Sequence, residues 1–152
     1  MTQTKSQGVQ LVHLAIVRDR TINYPVLPVN DPTYVAKLAN QLVGDRPNEH
    51  LVVFCLDTKL KPTHVEIVSI GGTDYTLADA ASILRLAILS NSTSIILAHN
   101  HPSGSLDISQ ADINSTRRLA EAAKVLSIEI LDHIIVNDSG QCTSLAAAGC
   151  MT

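Results

Sequence analysis

The feature that most constrains the fold is the run Ile95-Ile96-Leu97-Ala98, which passes without a polar residue straight into His99-Asn100-His101-Pro102. A short, wholly apolar strand is typical of a sheet covered on both faces, since neither side alternates towards water. The segment Ser94–Ala98 is therefore expected to be an interior strand. It delivers two histidines, one residue apart, to its exit. Imidazole nitrogen suits zinc, and His-x-His can converge on one ion where a loop replaces regular pleating. Pro102 and Gly104 shape that loop.

The flanking segments supply the layers. Asp31-Pro32 opens a helix, with Asp31 as N-cap and Pro32 at the first helical position, and Gly44 ends it. The β-prone runs 51–56 and 65–70 are joined by a turn from Asp57 to Pro62, which reads as a hairpin closed by Gly71-Gly72. A helix is expected over 77–89, with Ile83, Leu84, Ala87 and Ile88 buried. Another runs from Ser109 to about Leu126, with Leu119, Ala122, Ala123 and Leu126 facing inward. Strands follow at 128–136 and 142–145. Apolar alternation predicts one more strand at Val9–Val17, followed by a loop containing Pro25 and Pro28, whereas residues 1–8 are expected to be disordered. Helices alternate with strands but a hairpin interrupts the rhythm, so the fold class is α/β, a mixed β-sheet flanked by helices. At 152 residues the chain suits one domain, residues 9–152.

Composition excludes several functions. The formal net charge of −3 gives no support for non-specific binding to DNA phosphates, although Arg117-Arg118 could form a local basic patch. Three dispersed cysteines, Cys55, Cys142 and Cys150, imply no disulfide framework. The N-terminus lacks the pattern of a signal peptide, and no apolar run approaches the roughly 20 residues that span a bilayer. A cytoplasmic location without a membrane partner is expected; nothing indicates an oligomeric state.

Asp112 is the best third ligand. It lies in the first turn of the helix beginning at Ser109, where the positive helix end favours an ionised carboxylate. Ser109-Gln110-Ala111-Asp112 also reads as a capping box, and a cap would fix that carboxylate in place. Each feature taken alone has an ordinary structural explanation; their conjunction points to a metal. A catalytic base is harder to find. Glu66 alternates with Val68 and Ile70, and the pattern leaves it open between a buried, cation-facing carboxylate and a solvent-facing edge residue. His13, His50 and His64 lack ligand spacing, and His133 on its apolar strand reads as structural.

His99-x-His101, ten intervening residues and then Asp112, with Ser109 three before the aspartate and a glutamate upstream, resembles the JAMM motif of JAB/MPN metalloproteases. The strings HNHPSG, SQADI and LDHIIV look like the RadC branch of that family, and the similarity covers roughly residues 47–149. The preceding stretch is similar to short RadC-like proteins that lack a helix-hairpin-helix segment. The resemblance implies a JAB/MPN fold with cytidine-deaminase-like layering. It implies one zinc per chain held by His99, His101 and Asp112, with Glu66 as catalytic base and Ser109 stabilising the transition state. It implies hydrolysis of an amide bond, peptide or isopeptide, in a peptide or protein substrate. Two other readings attach to the family: a DNA-repair accessory acting through partners, and a non-catalytic MPN scaffold. Asp132-His133 follows the family pattern without an assigned role. The chain departs from it at Asp79-Ala80-Ala81-Ser82, where RadC-like sequences usually read His-Pro-Arg-Glu.

Overall fold

The computed structural model describes residues 8–24, 29, 31–70 and 77–151. The expectations for residues 1–7, for the loop prolines Pro25 and Pro28, and for Gly71-Gly72 lie outside these. Among the described residues there are three helices and one five-stranded sheet: α1 (Pro32–Val43), β1 (His50–Leu56), β2 (Pro62–Ile70), α2 (Leu77–Leu89), β3 (Ser94–Asn100), α3 (Gln110–Val125), β4 (Glu129–Val136) and β5 (Cys142–Ser144). The sheet order is β2-β1-β3-β4-β5. β1 runs antiparallel to β2 and β3, β3 and β4 are parallel, and β5 returns antiparallel to β4. The class is the expected α/β with a mixed sheet.

Every residue of β1 and β3 is buried, as the unbroken apolar run required. Alternation divides their side chains between two cores. Val52, Phe54, Ile96, Ala98, Ile134 and Val136 pack against α1. On the other face Leu51, Val53, Ile95 and Leu97 meet Ile83, Ala87, Leu119 and Ala123 of α2 and α3. α1 starts as expected, with the Asp31 carboxylate accepting from the Thr33 amide at 2.9 Å. The parallel β3–β4 pair needs a long crossover, and α3 supplies it.

Four expectations are corrected. Residues 9–17 form no strand: the chain is there without a ladder partner, and Val9 and Val17 are 96% and 90% exposed. Alternation records a capacity for β-structure, but only a partner strand can satisfy its backbone groups. Ile88 is 52% exposed because the buried stripe of α2 runs through Ile83, Leu84 and Ala87, and Leu126 is 45% exposed at the C-cap, where α3 has already ended at Val125. In β2, a bulge leaves Val68 unpaired and sets Ser69 rather than Val68 opposite Leu51, so strict alternation from Glu66 to Ile70 breaks.

These contrasts make the arm and the core separable. Phe54→Ala should cost about 3–5 kcal/mol of unfolding free energy, whereas Leu11→Ser should leave it within about 0.5 kcal/mol. Urea unfolding of both variants measures the difference.

Candidate metal centre

The site forms where β3 ends and α3 begins, at the carboxyl edge of the parallel pair, the place where open α/β sheets commonly bind ligands. His99 is still a strand residue, facing the α2/α3 side with Leu97 and paired with Ile135 of β4. His101 lies just past the strand. Its amide donates to the Val136 carbonyl at 3.1 Å, and the chain then turns so that the Gly104 amide reaches the His101 carbonyl at 2.9 Å. Gly104 has φ +78°, a left-handed conformation that a side chain would strain. Asn137 holds this loop from below, its amide nitrogen donating to the Gly104 carbonyl at 3.3 Å. Asn100 braces the other side, accepting from the His50 amide at 2.7 Å and donating to the Asn48 carbonyl at 3.1 Å.

Asp112 arrives from the helix. Ser109 is the N-cap, and the capping box is complete in both directions. Asp112 Oδ2 accepts from the Ser109 amide at 3.0 Å and from the Ser109 hydroxyl at 2.6 Å. Its other oxygen, Oδ1, is 3.6 Å from His99 Nε2. His99 Nε2 and His101 Nε2 are 2.9 Å apart. One ligand atom from each of His99, His101 and Asp112 lies within 4.8 Å of the others, so the three sequence-predicted ligands converge.

The donor chemistry fits a cation. His101 Nδ1 is 2.9 Å from the Ser105 carbonyl, which can only accept, so that nitrogen carries a hydrogen and, in the neutral ring, Nε2 presents a lone pair. A carboxylate oxygen beside it is an acceptor too. Such acceptors repel unless a proton or a metal lies among them. A protonated His99 paired with Asp112 is opposed by burial, which holds the His99 imidazole well below its ordinary range; the neighbouring His133 ring adds to this and Asp112 only partly offsets it. The group can therefore hold a metal ion.

The remaining candidates lie elsewhere. Glu66 is exposed on the edge strand β2, opposite Val53, on the sheet face that also carries His99. It is outside the converging group. Asp132 turns to the opposite face, where it accepts from the His133 amide, the Ser144 hydroxyl and the Ala146 amide at 2.7, 2.6 and 3.0 Å. His133 points the other way and is fully buried, with Nε2 2.8 Å from His99 Nδ1. Thr116, not anticipated from sequence, is 2.6 Å from His133 Nδ1. His50 and Cys55 are buried structural residues, and Cys55, Cys142 and Cys150 are free thiols. No helix among the described residues is long and apolar enough to cross a membrane.

A mixed α/β sheet with a His-His-Asp group that could hold a metal, at the end of a parallel strand, defines the class. The model of the RadC-like JAB domain matches residues 29–150, and the chain belongs to that family. Among its relatives, a UPF0758 protein of Syntrophomonas wolfei subsp. wolfei is 40% identical over 115 residues, which cover 76% of this chain and 48% of that protein. A UPF0758 protein of Methanosarcina barkeri is 34% identical over 128 residues, covering 84% of this chain and 56% of the relative. The chain thus spans about half the length of the curated relatives it matches.

Burial pushes the His133 imidazole from its ordinary 6.5 down to about 3. The unfolded chain therefore takes up a proton near pH 6.5 that the folded chain refuses until about pH 3. Stability from this group is complete above that window and declines as pH falls through it, by up to about 1.4 kcal/mol per pH unit. Urea unfolding of chelator-treated protein at about pH 6.5 and about pH 5, above most carboxylate titration, should show that decline.

Proposed function

We propose that the chain is a zinc-dependent hydrolase of amide bonds, peptide or isopeptide, acting on a peptide or protein substrate. The observation that carries this reading is the convergence of His99, His101 and Asp112 at the carboxyl end of a parallel strand, with acceptor atoms turned towards one another. Two imidazoles and one carboxylate are the ligand set of catalytic zinc sites that keep a position open for water. When bound, zinc supplies Lewis acidity, lowering the pKa of a water towards about 7 and polarising a carbonyl.

The chain's residues do the rest. His99, His101 and Asp112 hold the ion. Glu66 takes the proton of the attacking water and later passes it to the leaving nitrogen. Its position on the His99 face supports this, and two strand spacings separate β2 from β3, about 10 Å, a span suited to acting through water rather than as a ligand. Ser109 donates its hydroxyl proton to Asp112 Oδ2 in the resting arrangement. During reaction that hydroxyl donates to the developing oxyanion instead. Family membership supports the chemistry. We also assign the activity to the cytoplasm, since three free thiols suit a reducing compartment.

The test separates metal binding from catalysis. His101→Ala should remove the bound zinc, read by elemental analysis of protein purified without chelator. Glu66→Gln should retain zinc and melting temperature while turnover of a susceptible isopeptide substrate falls by roughly two to four orders of magnitude. Glu49→Gln serves as the control and should leave the rate near wild type. A fully active Glu66→Gln would remove the base assignment, and unchanged zinc in His101→Ala would remove the metal site.

A further inference from the structure

A buried hydrogen-bond circuit behind the ligands has no part in the proposed chemistry. Thr116 stands one helical turn after Asp112, and its hydroxyl donates to the Asp112 carbonyl at 2.7 Å. A hydroxyl has a single proton. With that proton spent, Thr116 Oγ1 can meet His133 Nδ1 at 2.6 Å only as an acceptor, so His133 carries its hydrogen on Nδ1. The ring is completely buried and neutral, which leaves Nε2 as a lone pair. His99 Nδ1, 2.8 Å away, must then be the donor of that bond. The order ends at His99 Nε2, left without a hydrogen and directed at His101 Nε2 and Asp112 Oδ1.

The circuit has one competing setting. If Thr116 donated to His133 instead, every proton along the line would reverse and a hydrogen would sit on His99 Nε2, the atom a metal needs. The bond from Thr116 to the helix carbonyl decides between the two. It also closes the circuit, because the carbonyl belongs to Asp112, itself a ligand. Two ligands on different elements are thereby joined through two residues that touch no metal.

We propose that Thr116 and His133 are positioning residues for metal binding, fixing His99 in the tautomer whose Nε2 lone pair faces the site. The inference rests on the reading of His99, His101 and Asp112 as metal ligands. It concerns the outer partners of a ligand, whose loss typically weakens metal affinity 10- to 100-fold. Thr116→Val keeps shape but offers His133 no acceptor, whereas Thr116→Ser keeps the hydroxyl.

The experiment measures zinc affinity by competition with a chromophoric chelator in wild type and both variants. It adds ¹⁵N-histidine NMR of the zinc-loaded wild-type protein and melting of the metal-free forms. Thr116→Val should bind zinc about 10- to 100-fold more weakly, with Thr116→Ser close to wild type. NMR should show His133 with its hydrogen on Nδ1. A structural role alone would lower the melting temperature of metal-free Thr116→Val without changing its zinc affinity, and that outcome overturns the proposal. So does His133 protonated on Nε2 in the loaded protein. Absence of zinc binding by wild type overturns the metal-site reading and the relay with it, whereas equal affinity in wild type and Thr116→Val overturns the relay alone.

Discussion

Parallel pairing of β3 with β4 is the constraint on which the site depends. Parallel neighbours cannot be joined by a tight turn, so the chain leaving β3 must travel back along the sheet before β4 begins. α3 makes that journey, and its first turn is consequently placed beside the end of β3. His99 and Asp112, thirteen positions apart in sequence, meet because the crossover starts where the strand stops. The same pairing sets Leu97 beside His133 and His99 beside Ile135, so the His133 ring reaches His99 from the next register position. An antiparallel β4 entered by a hairpin would bring neither partner. The His99–Asp112 meeting and the His133 ring behind it therefore come from one topological choice.

Adjacent residues on β4 serve opposite faces of the sheet, and both are polar. Asp132 lies on the α1 side, where three donors from β4, β5 and the chain beyond satisfy its carboxylate and tie the sheet's end together. His133 lies on the α3 side and meets the His99 ring. A buried carboxylate or imidazole is tolerated only when its hydrogen-bonding capacity is met. An irregularity between Ile95 and Ile96 in the pairing with β4 places Leu131 outside the regular pairs and fixes which of the two residues faces which side. Sliding the register by one residue would exchange them, leaving a carboxylate behind His99 and an imidazole among the β5 donors.

Much of this was legible from residues alone where the signal is local. The Asp31-Pro32 start of α1, the hairpin, the interior strand at 94–98 and the Ser109–Asp112 cap all follow from short-range chemistry, and the structure has them. So does the His99, His101 and Asp112 group, because its spacing is carried by one strand, one loop and one helix turn. Features that depend on distant partners were not legible. Val9–Val17 has the composition of a strand but no ladder among the described residues. Ile88 stands one residue off the buried stripe of α2, a 100° rotation that periodicity does not resolve over a single helix, whereas Leu126 keeps the spacing of the α3 stripe but falls at the C-cap, where the helix stops. Thr116 gave no sign of its contact with His133, which lies seventeen positions later on another element.

The Asp112 carboxylate shows why the local and distant parts cannot be separated. One oxygen ends the helix, taking two hydrogen bonds from Ser109; the other faces His99. A cap of this kind is worth only about 1 kcal/mol to a helix, so its contribution to overall stability is small. Its larger effect is directional. The carboxylate plane is held at one edge, which leaves a single oxygen for the site and discourages the side chain from rotating away. The backbone of the same residue accepts the Thr116 hydroxyl, so movement of the first turn of α3 would disturb the Asp112 carboxylate and the hydrogen bonds behind His99 together. Precision at a metal site requires that ligands and their supports be held by rigid elements rather than by loops. Here the end of β3 and the N-terminal turn of α3 are those elements, and the loop from His101 to Gly104 contributes only His101, itself pinned by Val136 and Ser105.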